Sequence, residues 1–241
     1  MHESERNARV ELAACYRIVA NHGWDDSVFT HISVRVPGTE HFLLNPFGLF
    51  FEEITASSLV KVDHAGRTVD DATAAINPAG FIIHSAVHAF RPEAACVIHL
   101  HTIAGVAVSA QPDGLLPISQ DALRFDGQVA YHDYQGFVFE DAERERLRTN
   151  LGTSDVMILR NHGTLTVGAT VGEAFLRMYW LERACAFQIA AQACGQPLIV
   201  PPAEVRARAR EKAAFITNRA SPYAWAATLR KLDRLDPSFR D

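Results

Sequence analysis

The sequence predicts an α/β fold of the layered-sandwich kind, and three observations lead there. An amphipathic helical pattern opens the chain, short β-type runs follow it, and two apolar, partly β-branched stretches then alternate with helical ones. Residues 3–22 place Val10, Leu12, Ala13, Cys15, Tyr16, Ile18 and Val19 at helical spacing, and Asn21-His22-Gly23 ends the pattern. Ile32-Ser-Val-Arg-Val36 and Phe42-Leu-Leu44 are short strands parted by Pro37-Gly38, so they read as a hairpin or meander that begins the sheet. Leu59-Val-Lys-Val-Asp63 follows, with a turn at His64-Ala-Gly66. Asn77-Pro-Ala-Gly80 opens a helix that runs to about Phe90 and stops at Arg91-Pro92. The run 94–100 suits a buried strand and carries His99 and His101 at its C-terminal end. Val156-Met-Ile-Leu159 is a second such strand, which delivers Arg160-Asn-His162-Gly163, and a helix from about Val171 to Cys194 follows Gly168.

A length of 241 residues is enough to bury a substantial core, and 48% hydrophobic with 21% charged residues is the balance of an ordinary globular protein. We expect one domain over residues 1–200, followed by a helical tail over 201–241. In that tail Pro222-Tyr-Ala-Trp225 precedes Leu229, Leu232 and Leu235 at a spacing that fits one face of a short helix. A tail with aromatic residues and little core of its own must dock somewhere. We expect it to pack against a neighbouring subunit through Tyr223, Trp225 and Arg230, with folding back on its own domain as the alternative.

A formal net charge of −5, with the Lys and Arg residues spread out, leaves no basic stripe for nucleic acid. Cys15, Cys96, Cys185 and Cys194 form neither a Cys-x-x-Cys pair nor a disulfide framework, so we expect buried free thiols in a reducing compartment. The polar N-terminal segment lacks an apolar signal core, and no apolar run approaches the ~20 residues that span a bilayer. A cytoplasmic protein without a membrane partner is the expectation.

The local pattern with most chemistry is His99-Leu-His101. In an extended segment the side chains at i and i+2 share a face, so two imidazoles can converge on one ion, although a partly buried His beside a surface His has the same spelling. His162 also ends an apolar strand-like run, beside a glycine that permits a sharp turn. Three imidazoles at strand ends could form an open-sided set that leaves positions for water or substrate.

The stretches Asn77-Pro-Ala-Gly-Phe-Ile-Ile-His84, Arg91-Pro-Glu93, Val97-Ile-His99-Leu-His101, Tyr131-His-Asp-Tyr-Gln-Gly136 and Leu159-Arg-Asn-His162-Gly163 resemble, in order and spacing, the class II aldolase/adducin domain family, over roughly residues 8–195. The resemblance implies a layered α/β/α sandwich with a central mixed, mainly antiparallel sheet. It implies one divalent metal on His99, His101 and His162, with zinc first and iron or manganese as alternatives. It also implies a homo-oligomer, commonly a tetramer, with active sites at subunit interfaces.

The departures from the family narrow the chemistry. The sugar-phosphate aldolases carry two serines and an acid/base Glu where this chain has Pro78, Ala79 and Gly80. Their Gly-Asn phosphate loop corresponds to about Thr30-His31, and the Ser or Thr before Gly48 corresponds to Phe47. Phosphate needs convergent donors or cations, which Phe47, Pro78 and Ala79 do not offer. By the resemblance, His31, Asn45, Gly48, Gly80 and His84 surround the substrate pocket, and Tyr131 or His132 takes the acid/base role. The motif is closer to the adducin-like branch than to the sugar-phosphate branch. The expected function is a metal-dependent lyase of aldolase or decarboxylase type acting on a small non-phosphorylated carbonyl or carboxylate compound. An adducin-like binding or scaffold protein is the alternative, and a non-haem iron oxygenase on the same three histidines is a further one. His84 and His88 share a helix face and are expected to pack near the sheet, His22, His31, His41 and His64 to be solvated, and Glu173 and Glu182 to lie on a solvated or interfacial helix face.

Overall fold

The first helix, α1 (Glu3–Asn21), starts where the His2 ring accepts the Ser4 N–H, and Glu3 and Glu5 complement the positive end of its dipole. Its buried stripe, with Leu12, Tyr16 and Val19 fully enclosed, lies on one face of a seven-stranded sheet. The structure is a computed structural model and describes residues 2–69, 75–136 and 141–241, with the side chains of Pro78, Ala79 and Asp141 outside the description.

Strands β1 (His31–Arg35), β2 (Phe42–Leu44) and β3 (Val60–Val62) form an antiparallel meander, with a 3-10 turn at Phe51–Glu53 between the last two. Helix α2 (Pro78–Phe90) leads to β4 (Cys96–Leu100), and Thr102 then caps α3 (Ile103–Ser109) by accepting the Gly105 N–H. Helix α4 (Gln120–Leu123), β5 (Val129–His132), α5 (Asp141–Leu151), β6 (Val156–Leu159), β7 (Gly163–Gly168) and α6 (Val171–Ala193) follow. The sheet order is β3-β2-β1-β4-β7-β6-β5, antiparallel throughout except for the parallel β5–β6 pair.

Side chains alternate across the sheet and divide the core into two layers. Ile98, Leu100, Val156 and Ile158 face α1, α3 and α6, whereas Val97, Met157, Leu159 and Leu165 face α2 and α5. This is the layered sandwich with a mixed, mainly antiparallel sheet that the sequence and its resemblance lead one to expect. Two strands were not expected: β7, bounded by glycines and rich in threonine, and β5, which carries Tyr131 and His132.

The tail departs further from expectation. It is not a short helix but the 33-residue α7 (Ala203–Leu235), which runs through Pro222 and ends in a 3-10 turn at Pro237–Arg240. Trp225, expected at a subunit interface, is buried within its own chain. Its indole N–H donates to Glu11, and a Cβ added at Gly172 would stand 2.8 Å from the Trp225 Cβ. Phe239 is enclosed, and its carbonyl accepts the Ala56 N–H at 3.0 Å. Tyr223 remains 77% exposed and Arg230 is exposed. Cys15, Cys96 and Cys185 are buried free thiols, but Cys194 is exposed, because it caps α6 beyond the last buried turn. Among the described residues no helix is long and apolar enough to cross a membrane.

As expected, His84 and His88 pack toward the sheet. Both reach the buried Ser33 hydroxyl, at 2.6 and 2.7 Å. Burial, then the nearby Arg35, pushes His88 down to about 3. Such a group stays neutral in the fold while the unfolded chain takes up a proton near pH 6.5, so stability is full above that pH and declines as pH falls toward 3. At pH 5 the loss from His88 is about 2 kcal/mol. Urea unfolding of the metal-free chain at pH 7.5 and pH 5 should show it, and the His88→Gln variant should lose less stability on acidification by about that amount. An equal loss in both would contradict the assignment.

Candidate metal centre

His99 and His101 leave β4 on the same side as Val97, toward α2. His162 arrives from the turn that joins β6 to β7, and β7 pairs with β4 in a register that sets Thr164 opposite Leu100. The turn is tight because Asn161 adopts left-handed backbone (φ 54°), and the His162 N–H closes it on the Leu159 carbonyl at 3.1 Å. Gly163, which the sequence suggested as the turning residue, serves close approach instead. A Cβ there would lie 2.3 Å from the Leu100 carbonyl oxygen and 3.1 Å from the His101 ring.

One ligand atom from each of the three rings lies within 4.8 Å of the other two. His99 Nδ1 stands 3.0 Å from the Thr164 carbonyl, and His101 Nδ1 stands 2.9 Å from Asp26 Oδ2. A carbonyl oxygen can only accept, and an ionised carboxylate likewise, so both Nδ1 atoms carry the proton. His99, kept neutral by burial, then presents its Nε2 lone pair toward His101 Nε2, 3.0 Å away. Orientation of a ligating imidazole through its other nitrogen, as the Thr164 carbonyl and Asp26 provide here, is how histidine metal sites are built. Burial, reinforced by the neighbouring histidines, holds His99 well below the usual imidazole range and His162 at about 4. Imidazoles kept neutral at His99 and His162, converging with the ring of His101, form a donor set that fits a divalent ion.

The rings open onto a cavity of about 480 Å³, lined by Phe29, His31, Gly80, Ile82, Tyr134 and Asn161 among others. His31, expected to be solvated or to face the pocket, is buried on β1 opposite His99 and lines the cavity, and neither of its ring nitrogens has a partner among the described residues. Its ring fills the room above Gly80, where a Cβ would come within 2.1 Å of His31 Nδ1. Of the other residues placed around the pocket, Asn45 is buried and accepts from the Tyr16 hydroxyl at 2.8 Å, Gly48 sits in a loop at φ 104°, and His84 is held by Ser33. None of these three lines the cavity.

The two acid/base candidates separate across the sheet. Tyr131 turns away from the histidines, and its hydroxyl accepts the Leu115 N–H at 3.1 Å. His132 does line the cavity, but Nε2 meets Glu143 at 2.8 Å and Nδ1 meets Asn150 at 2.9 Å, so both nitrogens are engaged. Tyr134, two residues beyond β5, is the tyrosine that reaches the centre. It is 47% exposed, and its ring lies 6.2 Å from that of His162. Asp26, Tyr134 and Glu182 escaped sequence reasoning. Asp26 comes from a loop 75 residues before His101, the ring it meets, and nothing in its spacing announces a role. Glu182, read as solvated or interfacial, is 3% exposed and bonded to Thr102 and Thr164.

Comparison with known proteins agrees with this geometry. The family model for the class II aldolase and adducin N-terminal domain matches residues 10–189. A Pseudomonas aeruginosa protein, provisionally assigned as an aldolase class 2 protein, is 52% identical over 241 aligned residues, covering 98% of this chain and 93% of its own. Alpha-adducin of Rattus norvegicus is 45% identical over 216 residues, covering 86% of this chain but only 29% of the much longer adducin. Among solved structures, the L-fuculose 1-phosphate aldolase of Glaciozyma antarctica superposes with a TM-score of 0.84 at 30% identity, over 98% of this chain and 93% of that one. The chain belongs to the class II aldolase/adducin family.

Proposed function

We propose that this chain is a divalent-metal-dependent carbon–carbon lyase acting on a small, non-phosphorylated carbonyl or carboxylate compound, with zinc as its metal. The observation that carries the reading is the convergence of three imidazoles, two of them oriented through their Nδ1 atoms, on one side of an open cavity. A divalent ion on such a set polarises a carbonyl or carboxylate oxygen placed in a free coordination position. The chain's residues supply the rest. Phe29, Ile82, Ile83 and Leu159 offer an apolar wall to the body of a substrate, His31 offers one N–H and one lone pair, and Tyr134 places a hydroxyl beside the centre as proton donor.

The same cavity is poorly made for phosphate. Its one described cation, Arg160, is committed to the carbonyls of Gln111 and Pro112, at 2.6 and 3.2 Å, while Asp133 and Glu143 add negative charge. The residue that bears the acid/base Glu in the sugar-phosphate enzymes is Gly80, and His31 occupies the space above it. The reading therefore differs from the activity named for the Glaciozyma relative. Steady-state assays of the zinc-loaded protein should show no efficient cleavage of L-fuculose 1-phosphate. They should show turnover within a panel of non-phosphorylated hydroxycarbonyl and 2-oxo acid compounds. A kcat/KM for the phosphate above ~10⁴ M⁻¹s⁻¹ would reverse the assignment.

The similarity to alpha-adducin favours a second reading, a binding or scaffold domain. A domain of that kind would turn over no member of the panel under any metal, with aerobic iron included to cover an oxygenase. We further place the protein in the cytoplasm as a homo-oligomer, a tetramer by preference. The exposed Phe215, Tyr223 and Leu235 on α7 support assembly, since a monomer would leave them in water.

A further inference from the structure

A carboxylate buried without a cation needs an explanation, and Glu182 of α6 is one. Among the described residues no Lys or Arg lies within ion-pair distance of it, and its only hydrogen-bond partners are two hydroxyls. The Thr102 hydroxyl donates to Oε2, and the Thr164 hydroxyl donates to Oε1 at 3.2 Å. Burial raises Glu182 to about 7, against the lowering effect of the two threonines. A helix position that only filled space would be better served by an apolar side chain, because a buried carboxylate costs several kcal/mol unless it is compensated.

The two threonines sit at the roots of the three-histidine centre. Thr102 directly follows His101 and also caps α3 through the Gly105 N–H, at 3.1 Å. Thr164 lies two residues beyond His162, and its carbonyl is the group that accepts from His99 Nδ1. One carboxylate thus joins the end of β4, which carries His99 and His101, to the start of β7, which follows His162. Gly105 leaves room for it, since a Cβ there would stand 3.0 Å from Glu182 Oε1 and 2.7 Å from the Thr102 hydroxyl.

We infer that Glu182 is a positioning residue for the metal centre, which fixes the ligand-bearing strand ends through Thr102 and Thr164 and supplies a buried negative charge behind a divalent ion it never touches. The inference rests on the reading of His99, His101 and His162 as a metal site. It adds a determinant of metal affinity that lies on the far side of the sheet from the cavity. A group of this kind should affect metal affinity by about 10- to 100-fold when removed.

Zinc affinity measured at pH 8 by competition with a chromophoric chelator, beside the thermal midpoint of the metal-free protein, tests it. Glu182→Gln keeps the shape, and its amide can still accept from one threonine and donate to the other, so only the charge is lost. It should hold the metal-free midpoint within a few degrees yet bind zinc at least 10-fold more weakly. Thr164→Val, which cuts the tie but leaves the carbonyl on His99, should also weaken zinc by about 10-fold, and Thr164→Ser should restore binding to within about threefold of wild type. A folded Glu182→Gln protein with wild-type zinc affinity would overturn the inference. Should that variant fail to fold, wild-type affinity in Thr164→Val overturns it instead. Zinc bound by neither the wild type nor any variant would defeat the metal reading itself, and with it this inference.

Discussion

His162→Ala is expected to lower zinc affinity by more than ~100-fold, which exceeds the range seen when only a partner of a ligand is removed. Two imidazoles would remain, His99 and His101, and a two-nitrogen site on a chain that supplies no described carboxylate to the trio is a weak one. The fold should survive, since His162 lies in a turn beside the cavity and is only partly buried. The distinguishing measurement is the melting temperature with and without zinc. Ligand bound only to the native state stabilises it by RT ln(1 + [L]/Kd), so the wild type should melt higher with zinc and His162→Ala should show almost no shift. Equal shifts in the two proteins would mean that His162 does not share the site. Asp26→Asn gives a milder version: an amide can still accept from His101 Nδ1 but no longer adds charge, and about a 10-fold loss is expected.

The parts of this centre that sequence revealed share a physical reason. An apolar run ending in histidine reads as a strand whose end leaves the core, and both runs, 96–100 and 156–159, are such strands. The i, i+2 spacing of His99 and His101 carries over directly because a strand alternates its faces. What stayed hidden depends on partners distant in the chain. Glu182 looks like any exposed glutamate on a helix until Thr102 and Thr164 are folded against it, 80 and 18 residues away. Asp26 is likewise oriented by a residue 75 positions on. Strand β7 was missed because Gly163 and Gly168 read as punctuation, whereas in the sheet they leave room, Gly168 for the backbone of α6 and Gly163 for Leu100. Tyr131 and His132, alternatives for one acid/base role, are told apart only by the strand, because adjacent residues of β5 point to opposite faces. The helix α7 was underestimated because Pro222 reads as a stop, while the enclosed Trp225 and Leu232 beyond it anchor the helix to the domain.

Gly163→Ala should be the most damaging single methyl group that this centre can receive. The added Cβ would lie 2.3 Å from the carbonyl oxygen of Leu100, and that carbonyl belongs to β4, in the middle of the sheet between β1 and β7. A flexible side chain could rotate away from such a contact, but a backbone held by strands on both sides cannot move without breaking its ladder. Overpacking of this kind costs about 3 kcal/mol at the severe end, which for a chain of this size lowers the melting temperature by roughly 6–12 °C. The same displacement would part the ends of β4 and β7, and these carry His101 on one side and follow His162 on the other. The variant should therefore lose zinc affinity as well as stability, by about 10-fold or more even at a temperature where it is fully folded. Circular dichroism melts of the metal-free protein and chelator competition at 15 °C separate the two effects. A Gly163→Ala protein that melts within about 1 °C of wild type would show that β4 yields to the methyl group, and that the close approach of Gly163 to Leu100 does not hold the centre together.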